Sequence, residues 1–223
     1  YLTAWQMVRV MAPVGEGDLV LVHSAAGGVG QAVVQLCRLA GARIIGSGSP
    51  AKHSYLRGLD LEHVFDSSRR DFSREVLAFT GGRGVDVALE PRHGRCIMES
   101  YRILAKCGRL VNFGFSNAAK GRRSGTLSAL RTLAGVPWLR INPISLMNDN
   151  KSVAGVNLGR MWDQGERTAG WMESLLAVLA TGRIEPVIDA EFTFAEAAAA
   201  HRRLEDRLNV GKVVLVPGKA VSP

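Results

Sequence analysis

Acidic residues are missing from one long stretch of this sequence. Between Ser100 and Asn148 there is no Asp or Glu, while Arg102, Lys106, Arg109, Lys120, Arg122, Arg123, Arg131 and Arg140 all fall there. The imbalance contributes to a net charge of +8. A basic face suits a nucleic acid, an anionic membrane or a phosphorylated cofactor. Aromatic residues are also scarce, at 6%. With no stacking platform and no nucleic-acid motif, nucleic acid is set aside as a partner. Three cysteines, Cys37, Cys96 and Cys107, carry neither C-x-x-C spacing nor a histidine at ligand distance, so no zinc site and no other metal site is expected. An odd count without a framework points to a reducing compartment. Long apolar runs are absent as well. The best, from Leu127 to Leu139, is interrupted by Arg131, Gly135 and Pro137, well short of the roughly 20 residues that span a bilayer. The chain opens at Tyr1 in a helical pattern, without a basic leader. We therefore expect a cytoplasmic location, and a fragment of a longer protein.

What is present is a rhythm. Apolar runs of about five residues, at 19–23, 43–47, 63–65, 85–89 and 109–113, alternate with helical patterns at 29–40, 50–57, 72–80 and 95–104. An opening helix is expected over 1–12, ended by Pro13. The strands are continuously apolar, as strands covered on both faces are. Repeated strand–helix–strand units predict an α/β fold with a doubly wound parallel sheet. The rhythm breaks over 116–150, a basic insert with helical stretches near 127–134. It resumes with a strand at 152–156 and a long helix at 166–181. The tail shows an extended segment at 186–190, an Ala-rich helix at 194–208 and a last strand at 212–216.

The strongest chemical signal is Val20-Leu21-Val22-His23-Ser24-Ala25-Ala26-Gly27-Gly28-Val29-Gly30, which follows the first strand and opens the first long helix. That is the context of a dinucleotide fingerprint, with Ala25 in place of the first glycine. Gly27 and Gly28 let a pyrophosphate approach the backbone, and the helix start offers N–H groups and a positive dipole end. The second signal is an absence. No acid occurs from Arg43 to Leu59, where NAD sites place a carboxylate on the ribose 2′-hydroxyl. The second strand ends instead in Ser47, Gly48 and Ser49, with Lys52 beyond. Serines and a lysine suit a 2′-phosphate, so the cofactor expected is NADP(H). The five histidines are scattered, and none has an obvious Ser or Cys partner for covalent catalysis. No catalytic side chain is assigned.

These stretches, together with Thr80-Gly81-Gly82-Arg83-Gly84-Val85-Asp86, resemble medium-chain dehydrogenases/reductases of the quinone oxidoreductase branch. Gly114-Phe115-Ser116-Asn117, the run from Asn150 to Gly159 and the ending from Asn209 to Pro217 resemble a narrower group within it, that of the synaptic vesicle amine transport protein homologues. The resemblance implies a Rossmann domain over residues 1–185. It also implies a C-terminal remnant, 186–223, of a GroES-like substrate domain otherwise absent. It implies that Ala26, Gly27, Gly28 and Val29 hold the pyrophosphate and that Ser47, Lys52 and Arg207 take the 2′-phosphate. Phe113, Gly114 and Phe115 would lie near the nicotinamide ribose, and Val156, Asn157 and Leu158 beside the nicotinamide.

The activity implied is zinc-independent, NADPH-dependent reduction of a quinone or an α,β-unsaturated carbonyl, with the fragment itself poorly active. An enoyl reductase module of a polyketide synthase shares the fingerprint. A non-catalytic, NADP-responsive or lipid-handling protein is the other alternative, with the insert 117–140 as its membrane-facing feature. The apolar strand 152–156 is expected to pair across a two-fold axis into a homodimer. Two departures stand out. Ser67 follows Asp66 where relatives often carry a Tyr that covers adenine. The fourth strand runs into Glu90-Pro91-Arg92-His93-Gly94 where they carry Asp and a Gly-rich turn.

Overall fold

The computed structural model describes residues 1–69, 71–92, 94–114 and 141–218. The expected helical stretch at 127–134, the insert 117–140 and Phe115 lie outside the described residues.

Helix α1 (Leu2–Trp5) passes into a wide π-helical turn, Gln6–Met11, rather than one continuous α-helix. The amide of Ala12 reaches back five residues to the carbonyl of Met7, at 2.9 Å, the bonding pattern of a π-bulge. Strand β1 (Leu19–Val22) leads into α2 (Gly28–Leu39), β2 (Arg43–Gly48), α3 (His53–Arg57), β3 (His63–Asp66), α4 (Phe72–Phe79), β4 (Val85–Glu90), α5 (Arg95–Arg102) and β5 (Leu104–Phe113). Then come α6 (Pro143–Asp149), β6 (Ser152–Val156) and α7 (Gly165–Ala180). The tail adds β7 (Ile188–Thr193), α8 (Ala197–Glu205) and β8 (Lys212–Val216).

The first six strands form one parallel sheet in the order β3-β2-β1-β4-β5-β6, the doubly wound Rossmann arrangement. Its chemistry follows from the run Leu19-Val20-Leu21-Val22. Successive side chains of a strand point to opposite faces. Val20 and Val22 pack with Ala32, Val33 and Leu36 of α2, whereas Leu19 and Leu21 pack with Phe72 and Val76 of α4 and Met98 of α5. Both faces are therefore dry, and the strands had to be apolar throughout. Leu36 and Leu21 are fully buried. Truncating either to Ala would cost about 2–5 kcal/mol in transfer and cavity terms.

The largest difference from the periodic reading among the sheet strands is at β5. Strand β5 begins at Leu104, five residues before the expected Arg109. Cys107 takes φ 62°, and the pairing of β4 with β5 shifts register after Val85. A bulge interrupts the alternation and hides the strand's start from a pattern search. In the tail, β7 and β8 form a separate two-stranded parallel sheet, with α8 between them in sequence. Thr193 and Glu196 close a reciprocal capping box ahead of α8.

Candidate functional site

The strand order reverses between β1 and β4, since β2 and β3 lie to one side and β5 and β6 to the other. Doubly wound sheets bind ligands in the crevice beyond the carboxyl ends of the strands at such a switch point. Here that crevice is built by the turn after β1. Ser24 adopts φ 55°, a strained value for a residue with a side chain. The turn is pinned on both sides: the His23 amide donates to Leu89 and that of Ala25 to Ser47, at 3.3 and 3.0 Å. Helix α2 starts immediately afterwards. A Cβ on Gly30 would lie 2.4 Å from the Ser24 carbonyl oxygen, so only glycine lets the helix sit so close to the turn. The N-cap is Gly27, and no side chain caps the helix. The first amides of a twelve-residue helix thus open toward the crevice without a side-chain acceptor, a natural seat for an anion.

Beside the turn lies a cavity of about 770 Å³, within the usual range for a small-molecule site. The β1 turn contributes Ser24, Ala26 and Gly27. The end of β2 contributes Ser49 and Lys52, and that of β3 contributes Ser68 and Arg69. Arg92 and Arg95 come from the end of β4 and the start of α5, and Arg207 and Asn209 from the tail. Lys52 donates to the carbonyl of Asn209 at 2.5 Å. Partial burial, with Arg207 and Arg203 nearby, lowers its pKa, against the pull of Asp189.

The tail is stitched to the fingerprint. The Gly211 amide donates to Ala26 at 2.8 Å, and Gly27 bridges Gly211. A Cβ on Gly28 would meet the Lys212 stem at 2.6 Å and the Gly211 carbonyl at 3.2 Å. Gly28 therefore makes room for the tail. Asp189 of β7 accepts from Arg203 and from the Val210 amide, holding the loop that carries Arg207 and Asn209. A segment assigned from sequence to another domain thus supplies one wall of this cavity.

Beneath the cavity floor is a buried polar group that sequence reasoning did not assemble. His23 and Glu90 end β1 and β4, and they are 1% and 0% exposed. The Nδ1 atom of His23 lies 2.8 Å from the Ser47 hydroxyl, and Ser100 donates to Glu90 at 2.7 Å. Arg92 binds Glu90 through Nε and Nη2, at 2.7 and 2.8 Å, and lies over the Phe72 ring. Burial pushes the His23 imidazole down to about 4; the Glu90 charge opposes this and Arg92 adds to it. His23 is therefore neutral at physiological pH. Burial alone would raise the Glu90 carboxyl, but the groups around it, Arg92 among them, hold it well below the ordinary carboxylate range.

The expected site residues fall into three places. Ala26, Gly27, Lys52 and Arg207 border the cavity, with Gly28 and Val29 in the first turn of α2 beside it. Ser47 is 2% exposed and its hydroxyl faces His23, whereas Ser49 lines the cavity. Phe113 pairs in register with Val156. This brings Phe113 and Gly114 alongside Val156, Asn157 and Leu158 at the ends of β5 and β6. Residues not singled out for this site from sequence include Ser68, Arg69, Arg92, Arg95 and Asn209. For two of them a signal was legible, in the unusual Glu90-Pro91-Arg92 run and in the tail motif from Asn209. Among the described residues, no three His, Cys, Asp or Glu gather as a metal site, and no helix is long and apolar enough to cross a membrane.

Comparison with known proteins bears on this geometry. The family described as zinc-binding dehydrogenase matches residues 59–215. The synaptic vesicle membrane protein VAT-1 homolog of Homo sapiens is 33% identical over 98% of this chain and 55% of its own length. The crystal structure of human synaptic vesicle membrane protein VAT-1 homolog-like protein superposes with a TM-score of 0.76 at 30% identity, over 100% of this chain and 60% of that one. The X-ray structure of the nucleotide-binding subdomain of the enoylreductase domain of PpsC from Mycobacterium tuberculosis has a TM-score of 0.70 at 32% identity, covering 84% of this chain and 96% of that one. The chain spans about half the length of the curated VAT-1 relatives it matches.

Proposed function

The chain belongs to the zinc-binding dehydrogenase family, within the medium-chain dehydrogenases/reductases, and we propose that it is the NADPH-binding part of a reductase acting on quinones or α,β-unsaturated carbonyls. One observation carries the cofactor choice. The cavity beside the fingerprint is bordered by Lys52, Arg207 and Ser49, and no acid lies between Arg43 and Leu59. A ribose 2′-phosphate adds charge and acceptor oxygens that such a wall receives well. A 2′-hydroxyl offers these cations no opposite charge.

The residues present fit the dinucleotide. The uncapped start of α2, at Gly27 and Gly28, would hold the pyrophosphate, and Lys52 and Arg207 the 2′-phosphate. Phe113, Gly114, Val156, Asn157 and Leu158 would flank the nicotinamide half at the ends of β5 and β6. Bound NADPH would supply the hydride. The protein's task is then to bind, orient and exclude water, the usual division of work in a cofactor enzyme. Ser47 acts on this reading from within the fold, positioning His23 beneath the turn. Zinc independence, cytoplasmic location and the two-fold homodimer belong to the same proposal. Strand β6 is the sheet edge, where an unpaired ladder invites a second copy. A Val153→Pro variant should sediment as a monomer and the unmodified protein as a dimer; a monomeric unmodified protein would contradict the edge pairing.

The activity test uses the full-length protein, NADPH and a panel of quinones and enones, following NADPH absorbance, with a chelator in parallel. Consumption with NADPH, unaffected by chelator, is expected. Absence of turnover with every acceptor would contradict the proposal and favour a non-catalytic, NADP-responsive or lipid-handling role. A second reading, an enoyl reductase acting on thioesters, is favoured by the near-complete match to the PpsC subdomain. Turnover confined to enoyl thioesters would select it.

A further inference from the structure

We infer that Arg92 is the adenine platform of this cavity, its guanidinium plane held by Glu90 so that the purine of the bound dinucleotide stacks on it. The inference rests on the cofactor reading above and names the side chain that would recognise the base. A purine needs a flat partner, and among the described residues bordering the cavity none is Phe, Tyr, Trp or His. Ser67, after β3, offers a hydroxyl and no plane. The flat groups among the bordering residues are guanidinium planes: Arg207, which the cofactor reading places on the 2′-phosphate, and Arg69, Arg92 and Arg95. Arg69 and Arg95 are 58% and 66% exposed, so their pairs with Glu75 and the buried Glu99 leave each guanidinium largely in solvent. Arg92 is different. Its side chain is 14% exposed, and its Nε and Nη2 both engage the fully buried Glu90.

Phe72 supports the guanidinium, with Cζ 4.9 Å from the ring centroid, while the side chain also borders the cavity. A planar cation resting on an aromatic ring at a cavity wall is prepared to stack a second ring. The charge arithmetic points the same way. With the carboxylate of Glu90 bound in bidentate fashion, Arg92 has little charge left for a phosphate, which the cofactor reading gives to Lys52 and Arg207 elsewhere on the wall. The ordering entropy of the stack is largely spent in folding, because Glu90, Ser100 and His23 lock the side chain before any ligand arrives.

The test is calorimetric titration of the full-length protein with adenosine 2′,5′-bisphosphate, which carries the purine and the phosphates without the nicotinamide. Arg92→Lys keeps a cation beside Glu90 but removes the plane. It should weaken binding roughly tenfold, and the loss should persist at high salt, where a charge effect would fade. The double variant Glu90→Gln/Arg92→Met leaves no buried charge unpaired. It should show the same loss with an unchanged circular dichroism spectrum, and it decides the matter if Arg92→Lys does not fold. Binding as tight as that of the unmodified protein, or a loss abolished by salt, would overturn the inference alone. Failure of the unmodified protein to bind the probe would overturn the cofactor reading and this inference together.

Discussion

The two ends of the parallel sheet use the same residue types for different purposes. At the amino ends of the strands, cations meet carboxylates. Arg43 binds Glu62 at 2.7 Å, Arg83 binds Asp86 at 2.6 Å and Arg109 binds Asp18 at 2.7 Å. Asp86 also accepts from the Leu19 amide. At the carboxyl ends Arg69 and Arg95 are also paired, with Glu75 and Glu99, but Lys52 gives its hydrogen bond to the neutral carbonyl of Asn209, and Arg92 reaches its carboxylate only by folding back onto a buried one. A cation already held by a surface carboxylate must break that pair to take a ligand. A lysine resting on a carbonyl exchanges it for a phosphate with a gain, because hydrogen bonds between charged groups are the stronger ones. The amino ends close the fold, and at the carboxyl ends Lys52 is the cation that an anion would recruit at least cost.

The largest effect should come from Gly28→Val. The branched side chain would occupy the space of the Lys212 stem and the Gly211 carbonyl and block approach to the first amides of α2. Losing two charge-assisted hydrogen bonds, each worth about 1.5–3 kcal/mol, should weaken NADPH binding at least about a hundredfold. A fluorescence titration measures it, with circular dichroism confirming the sheet. Unchanged affinity in a folded variant would mean that the uncapped helix start is not the anion seat.

A smaller effect concerns the buried group under the cavity. His23 has its folded pKa lowered to about 4 from an ordinary 6.5, so the unfolded chain binds the proton first. Stability contributed by the neutral ring is complete above pH 6.5 and falls as the pH drops toward 4, by about 3 kcal/mol in all. Glu90 extends the same trend below pH 4, because its folded carboxyl also titrates below the unfolded one. Urea melts at stepped pH should show this slope, and His23→Asn should remove the part between pH 6.5 and 4. An identical slope in the variant would assign the acid sensitivity elsewhere. The smallest effect is expected at the opposite end, where Arg83→Ala breaks an exposed pair and should leave NADPH affinity within about twofold. A tenfold loss there would erase the distinction between the two ends.

How far the sequence carried this account varies along the chain. The sheet was legible because Leu19-Val20-Leu21-Val22 and its counterparts are apolar on both faces, which admits few folds. The fingerprint was legible because glycines there answer to backbone geometry, as the Gly30 contact with Ser24 shows. The start of β5 was not, since the bulge at Cys107 breaks the period on which a pattern search relies. The partner of Ser47 was not legible either. A serine ending β2 can face the cavity or the core, and only the arrival of His23 from β1 settles which. The tail wall was hidden for a similar reason. Nothing local in Asn209-Val210-Gly211-Lys212 says that it will pair with Gly27, roughly 180 residues earlier in the chain.

The central claim is that the carboxyl end of the sheet is built for a 2′-phosphorylated dinucleotide. Calorimetry of the full-length protein with NADPH and NADH side by side, repeated on Lys52→Ala, addresses it directly. NADPH should bind more tightly than NADH. The variant should lose about tenfold for NADPH, in keeping with one charge-assisted hydrogen bond of about 1.5–3 kcal/mol, and almost nothing for NADH. Equal affinity of the unmodified protein for the two cofactors would contradict the claim.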